Sequence, residues 1–377
     1  MRIEAKKHGV LPVDDDAPGL LEVLRNGGHS LLPIMVLIAL LMAGFTPTYA
    51  AGISILAVIA ASWLGKHPMG PRAIVDALAL GARNMVATGL LLVAVGLVVN
   101  VIATTGVGNV ISLMIDQWAG GSLLITLVLV ALASLVLGMG LPVTASYVVL
   151  ATLSAPAIYG LIAKAHVVDA IAAGQVPETA KALFLLVAPD AAAGLGEPMA
   201  AAQAAALMAQ MPVDFTGQLI EQVLDPLTLS TALLSAHMII FWLSQDSNVT
   251  PPVCLTAFAA AGIAGTPPMA TGVTAWKIAK GLYIVPLLFA YTSFLSGEFW
   301  PSLWIFAIGT IGIYALTAAL SGYLEWPISW FERILLAAIG TALIWPTDAT
   351  VNVPALACFL ALLGFNLWRG NRAKAVT

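Results

Sequence analysis

The chain has 377 residues, 60% of them hydrophobic and 9% charged, with a mean hydropathy of +0.98. An ordinary soluble domain is excluded at that composition, and so is a membrane β-barrel, whose short segments of alternating polarity are absent. A formal net charge of −4 gives no reason to expect a nucleic-acid partner. The expected class is an all-α polytopic membrane protein of about eight to ten membrane segments, surrounded by membrane lipid.

Residues 1–29 are a polar lead-in. Arg2, Lys6 and Lys7 are followed by Pro12, Asp14, Asp15, Asp16 and Pro18 rather than by an apolar run, so no secretion signal is read here. The acidic triplet reads as a solvated tail and 20–25 as a short interfacial helix. The apolar stretch 31–64 is broken at Phe45-Thr46-Pro47-Thr48. One span takes roughly 20 residues, so two short spans joined by a turn are expected. Residues 66–83 mix Val75, Leu78 and Leu80 with Arg72 and Asp76 and predict a helix lying on the membrane surface. The lead-in and the block 30–84 thus precede the main body of spans.

Spans follow at 85–103 and 122–137, the second running into Gly138-Met139-Gly140-Leu141-Pro142. A further apolar arm, 143–162, completes a helical hairpin. A polar insert, 163–226, then carries Asp169, Glu178, Asp190, Glu197, Asp214, Glu221 and Asp225 against Lys164 and Lys181 alone. Its alanine-rich pieces predict short helices outside the bilayer. Next comes an interrupted apolar segment, 227–264. Spans near 281–297, 299–320, 333–346 and 353–369 make up the C-terminal block 265–377 with its tail. Threading these segments from an inside N-terminus puts 13 of the 15 Lys and Arg residues on the cytoplasmic side. That bias is the one the positive-inside rule requires. Both termini are then cytoplasmic and the acidic insert extracytoplasmic.

Two places combine polar groups with apolar surroundings. In the first, Ser244, Gln245, Asp246, Ser247, Asn248, Thr250, Pro251 and Pro252 interrupt the helix between Leu227 and Ile263. The prolines remove backbone donors, and broken backbone at membrane depth is tolerated only where protein buries it or it lines a wet cavity. Asp246 is the sole acidic residue between Asp225 and Glu298, and an intramembrane carboxylate is costly without a cation or a partner. Hydroxyl, amide and freed carbonyl oxygens form a hard ligand set suited to an alkali cation, and the helix start after Pro252 offers free N–H groups to an anion. The competing reading is a plain proline kink whose polar side chains face neighbouring helices.

The second place is the hairpin turn, with Gly138, Gly140 and Pro142 followed by Thr144 and Ser146. Its Gly-x-Gly is no nucleotide fingerprint, because no strand precedes it. A re-entrant hairpin and a pair of full spans both return the chain to the same side, so both readings stand. His237, on an apolar helix face near the island, reads as a packed histidine. Lys277, Lys280 and Trp276 read as interface anchors. Cys254 and Cys358 lie far apart in apolar segments and read as packing residues. No Walker loop, zinc spacing, nucleophile elbow or carboxylate pair supports an enzyme.

At these two motifs the chain resembles a known family. The run from Leu137 through Ala151 is similar to the hairpin of fused permeases of tripartite ATP-independent periplasmic (TRAP) transporters, as is the run from Gln245 through Gly265. The branch it resembles is the TAXI type, over residues 21–295. The resemblance implies an elevator-type ion transporter with two inverted repeats, each holding a re-entrant hairpin and a broken helix. This chain then carries one repeat at 85–264, with its hairpin at 122–162 and its broken helix at 227–264. It also implies a sodium site drawing on Gly138, Gly140, Thr144, Ser247, Asn248 and Thr250, with sodium as coupling ion and no other cofactor. Val143 departs from the family, standing where relatives often have threonine.

The implied function is the permease of a sodium-coupled importer in the bacterial inner membrane, taking an organic acid from a periplasmic solute-binding protein. A separate chain or segment is expected to supply the first repeat and the small-subunit helices, because this sequence matches only the C-terminal half of such permeases. A stand-alone ion-coupled carrier and a non-transporting assembly subunit are the alternatives.

Overall fold

The structure is a computed structural model that describes residues 27–65, 68–187, 194–252, 254–345 and 349–376, together with Glu22, Leu24 and Pro189. The acidic triplet at 14–16 lies outside the described residues, as does most of the expected helix at 20–25. The described residues form helices, 3₁₀ turns and one isolated bridge, Tyr323 to Pro327, with no named strand among them. Five helices are long and apolar enough to cross a membrane, or six if one bent pair counts as a span. Four shorter apolar helices accompany them. The chain is an all-α polytopic membrane protein.

It divides into two compact units, one ending at Ala94 and the other starting at Val95. In the first, a 3₁₀ turn, Gly28–Leu31, leads into α1, Leu32–Met42, and α2, Pro47–Ser62. Thr46 caps α2, its hydroxyl accepting from the Tyr49 amide at 3.4 Å, and Pro47 takes the first helical position, where a missing N–H costs nothing. Two short apolar helices thus flank the break at 45–48.

The next helix differs from expectation. A surface helix at 66–83 and a span at 85–103 are one unbroken helix, α3, Pro71–Thr105. No proline follows Pro71 within it, so nothing in the covalent chain forces the helix to end there. Its 35 residues at 1.5 Å each make about 52 Å, longer than the roughly 30 Å hydrocarbon layer. The end bearing Arg72, Asp76 and Arg83 therefore reaches past the hydrocarbon.

Beyond Val95 three packed cores follow one another. The first joins α5, Leu123–Gly138, and α6, Val143–Ala172, to α10, Pro226–Ser244. Ahead of them a short helix unforeseen from the sequence, α4, Val107–Ala119, rests on α6. Contact there is close enough that a Cβ on Gly108 would sit 3.2 Å from the Thr152 carbonyl oxygen. α6 and α10 run antiparallel, and they share a buried core in which Ala155, Ala232 and Ala236 stand among Leu150, Ile158, Ile239 and Ile240. In lipid, where apolar surfaces gain little by leaving the solvent, such close approach is what holds helices together. Asp225 caps α10. Its Oδ2 accepts from the Thr228 hydroxyl at 2.6 Å and its Oδ1 from the Leu227 and Thr228 amides. The Thr228 hydroxyl leads the interactions holding this carboxyl below the ordinary carboxylate range.

The second core belongs to the insert. Here α7, Glu178–Val187, α8, Ala201–Ala209, and α9, Val213–Val223, close over Ala163, Val167 and Ile171 on the far end of α6. Of the expected alanine-rich short helices, 200–209 is present as α8, 170–173 instead ends α6, and 191–193 lies outside the described residues; Phe184, Leu195 and Leu219 are fully buried.

After α10 and the break described below come α11, Leu255–Ala264, and α12, Pro268–Ile278. The stretch 265–280, which lies outside the expected spans, is thus largely helical. The expected span at 281–297 is not one helix either: a 3₁₀ turn, Ala279–Tyr283, is followed by the seven-residue α13, Val285–Tyr291. The axis bends by 45° between Ile278 and Gly281, ahead of α13. Pro286 has no N–H to give the preceding turn, so the helix restarts at Val285 rather than running through.

The third core packs α14, Phe299–Ser321, against α15, Trp330–Ile344, and α16, Ala349–Val376. Ser329 and Glu332 form a capping box at the start of α15, and Arg369 reaches Glu332 from α16 at 3.3 Å. At the crossing of α14 and α15 two glycines face each other. A Cβ on Gly340 would lie 2.9 Å from the Gly312 carbonyl oxygen and 2.7 Å from Leu316 Cγ.

Gly340→Ala is expected to push these helices apart at a cost of about 1–3 kcal/mol. Gly364→Ala on α16, where a Cβ meets nothing within 4 Å, is expected to leave stability unchanged or raise it. Thermal unfolding of the solubilised protein checks both; equal Tm values for the two variants would refute the crossing.

Candidate functional site

The polar island is where α10 stops. Ser244 ends the helix with its hydroxyl donating back to the Ile240 carbonyl at 2.8 Å, a bond that competes with the regular ladder. Gln245–Asn248 tightens into a 3₁₀ turn, and the amides of Val249 and Thr250 both close on the Asp246 carbonyl. Pro251 and Pro252, joined by a cis bond, carry the chain to the start of α11. The helix is discontinuous here, as its polar residues imply.

Asp246 is the centre of the arrangement and is fully buried. Its Oδ1 accepts from the Thr250 hydroxyl and from the Tyr283 phenol, each at 2.6 Å. The Trp276 indole N–H donates to Tyr283 at 3.2 Å. Among the described residues the Asp246 Oδ2 has no hydrogen-bond partner, and neither does the buried hydroxyl of Ser247, the next residue. An orphaned buried polar atom costs on the order of 1–3 kcal/mol, and a charged one more. This carboxylate is half satisfied.

The hairpin touches the island closely at Gly138. A Cβ on Gly138 would stand 3.2 Å from the Ser247 amide nitrogen and 3.3 Å from its Cα and Oγ. Only glycine lets the α5 end approach that closely. Ser146, on α6, is buried with an unpartnered hydroxyl, as is Ser134 on α5, and both helices contact the 3₁₀ turn. The remaining hairpin residues do not come together with the island. Gly140, Pro142 and Thr144 are exposed, and a Cβ on Gly140 would meet nothing within 4 Å. Pro142 starts α6 in extended conformation.

Asn248 is half-buried, with its amide donating to Gln245 Oε1 and its Oδ1 accepting from Thr256, both at 3.3 Å. Together Gln245, Asn248 and Val249 form one wall of a 620 Å³ cavity. The 3₁₀ turn after α12 forms the second wall, and Thr310, Tyr314 and Thr317 of α14 form the third. Its amide and hydroxyl groups stand among apolar side chains.

Two contributors were not legible as such. Trp276, read as an interface anchor, and Tyr283, not singled out, complete the Asp246 network across a separation of more than thirty residues. The signal that points to them is Asp246 itself, which needs long-range donors. His237 packs as expected, its Nδ1 lying 3.1 Å from the Tyr147 hydroxyl. Cys254 is buried, but Cys358 is exposed rather than packed. Among the described residues no three of His, Cys, Asp and Glu lie close enough to hold a metal ion.

A discontinuous helix, a hairpin tip set against it and a half-satisfied carboxylate at their junction, inside an all-α polytopic chain, define the class of membrane transport proteins. The family model of the tripartite ATP-independent periplasmic transporter, DctM component, matches residues 1–296, and the chain belongs to that family. It is a TRAP transporter permease component, of a transport rather than an enzyme family, and a multi-pass protein of the bacterial inner membrane. Components of this family work with a periplasmic solute-binding protein and a small membrane subunit. Neither a curated protein nor a solved structure matches the chain. The matched region holds the whole island and hairpin, while α14 to α16 follow it.

Gly138→Ala is expected to dislodge the 3₁₀ turn and speed amide hydrogen exchange in peptides covering 245–250. Gly140→Ala is expected to leave it unchanged. Equal exchange in the two variants would break the assignment of Gly138 as the contact.

Proposed function

We propose that this chain is the permease of a sodium-coupled importer of organic acids, and that Asp246 is the group through which sodium acts. The observation that carries the proposal is the buried carboxylate with one oxygen bonded and the other free, next to the unpartnered Ser247 hydroxyl. Hard, partly anionic oxygen donors suit a small monovalent cation, which needs no histidine or thiolate. Gly138, by bringing the hairpin end against Ser247, leaves main-chain oxygens close by. Of the sodium ligands implied by resemblance, Gly138, Ser247, Asn248 and Thr250 support this reading. Gly140 and Thr144, exposed in the hairpin turn, support it less.

The coupling follows from charge. An empty site leaves a buried negative group that repels an incoming carboxylate. Two unit charges 4 Å apart at an effective dielectric of 20 interact by about 4 kcal/mol. A bound cation offsets that repulsion, so the anion binds well only after sodium. Gln245 and Asn248, on the cavity wall, have amide groups able to hold the solute. The first turn of α11, Leu255–Ala264, presents the free N–H groups that favour an anion.

The finer family features belong to the same proposal. The hairpin and broken helix are one repeat of a two-repeat, elevator-type permease of the TAXI branch. The other repeat, on a further chain or segment, supplies the opposite wall, and a solute-binding protein delivers the substrate to the outer face. The similarity of the runs at 137–151 and 245–265 to such permeases supports these points.

Sodium chloride, against choline chloride at equal ionic strength, is expected to raise the Tm of the purified protein. A saturating ligand at 100 times its Kd adds about 2.7 kcal/mol. Asp246→Asn, which keeps the shape and removes the charge, is expected to abolish the difference. It should also abolish sodium-stimulated uptake by the complete transporter in proteoliposomes. An undiminished sodium shift in the variant would sink the assignment of Asp246.

A further inference from the structure

A second cavity lies apart from the island, at the opposite end of the α6 and α10 pair. It has a volume of 440 Å³ and is bounded by the C-terminal half of α6, the first turns of α10 and the segment 289–298. Its rim carries three exposed ionisable side chains, His166, Asp169 and Glu298. Deeper in, Thr231 and Ser235 of α10 line it. Ser235 is only 5% exposed, yet among the described residues its hydroxyl makes no hydrogen bond.

We infer that this cavity is a binding site for the ammonium group of a small organic cation, one that the Asp246 site does not use. Four observations converge. Two carboxylates against one imidazole leave the rim negative in either state of His166. Asp225, ion-like and hydrogen-bonded to Thr228 of the same wall, adds a further negative charge nearby. None of the side chains of His166, Asp169, Thr231, Ser235 and Glu298 makes a hydrogen bond or ion pair among the described residues, so all are free to accept. An ammonium group carries three donors and no acceptor, which matches hydroxyl oxygens at the floor and carboxylates at the rim.

A metal ion is a poorer fit. No three His, Cys, Asp or Glu side chains among the described residues lie close enough to share one. The carboxylates are spread around an opening, an arrangement that surrounds a larger, multiply donating cation. An anion is disfavoured by the same rim. Placement adds meaning: 163–226 and the turn before Phe299 both fall on the extracytoplasmic side in the charge-based threading, and here they meet at one cavity. In that threading the site lies on the outer face, where it holds an ammonium group independently of the island.

Isothermal titration of the purified full-length chain with n-butylammonium, n-butanol and butyrate tests this. Saturable binding of butylammonium alone is expected, weakened at least tenfold in the double variant Asp169→Asn, Glu298→Gln. Both positions are exposed, so neither change should disturb folding. Ser235→Ala is expected to weaken binding by a smaller factor, severalfold. No saturable binding, equal binding of butyrate, or unchanged binding in the double variant would each overturn the inference. Asp246→Asn should bind butylammonium normally, so failure here and failure of the sodium site are separate outcomes.

Discussion

The rest of the structure is arranged around a single buried carboxylate at a helix break. A charge is expensive at membrane depth, and Asp246 has no exposure at all. Its Oδ1 draws donors from two places: Thr250, one turn on, and Tyr283, on a different segment. To supply the first, α10 must end and the chain must fold back in a 3₁₀ turn. To supply the second, the run after α12 must bend rather than cross the membrane as a straight helix. The bend between Ile278 and Gly281 and the break at Pro251 thus serve one group from two sides.

The two halves of α6 hold on to their neighbours by different physics. Its first half meets α10 where Ala155, Ala232 and Ala236 stand among Leu150, Ile158, Ile239 and Ile240, and close packing there does the work that hydrophobic burial does in water. Its last turns meet the insert through Ile171, Val167 and Ala163, against Phe184 and Leu219, where removal of apolar surface from water supplies the driving force. One helix of 30 residues therefore joins a lipid-side core to a water-side core. The cavity rimmed by His166 and Asp169 opens near the boundary between the two regimes. Polar side chains are affordable there without partners, because water reaches the rim.

What the sequence made legible follows from how local the signals are. Ser244 to Pro252 could be found because polar residues and prolines inside an apolar run have few structural uses. Gly138 and Pro142 marked the hairpin turn for the same reason. The continuity of α3 was not legible, because a surface-like pattern at 66–83 says nothing about whether a helix ends. The split at 281–297 was masked by its hydrophobicity, although Gly281 and Pro286 carried the local cue. Tyr283 and Trp276 had no local cue, since a hydrogen bond to Asp246 leaves no mark at either end of the sequence separation. Within the hairpin, residue type did not tell which of Gly138, Gly140, Thr144 and Ser146 faces inward; that depends on the helix phase at the turn. Gly138 and Ser146 are buried, while Gly140 and Thr144 are exposed.

On the proposed reading, the half-satisfied state of Asp246 is what a plain proline kink leaves unexplained. A proline kink needs no acid. Asparagine at that position would accept from Thr250 and Tyr283 through its oxygen without bringing a charge into the interior. Retaining a carboxylate leaves Oδ2 without a donor, next to a serine hydroxyl equally without one, and that arrangement lowers stability for no structural return. It becomes sensible if a cation completes the shell. The hydroxyls of Thr250 and Tyr283 then act as a brace that fixes one carboxylate oxygen so the other stays aimed at the ion. Bracing of this kind lowers the reorganisation needed on binding, and it links the bent segment after α12 directly to occupancy of the site.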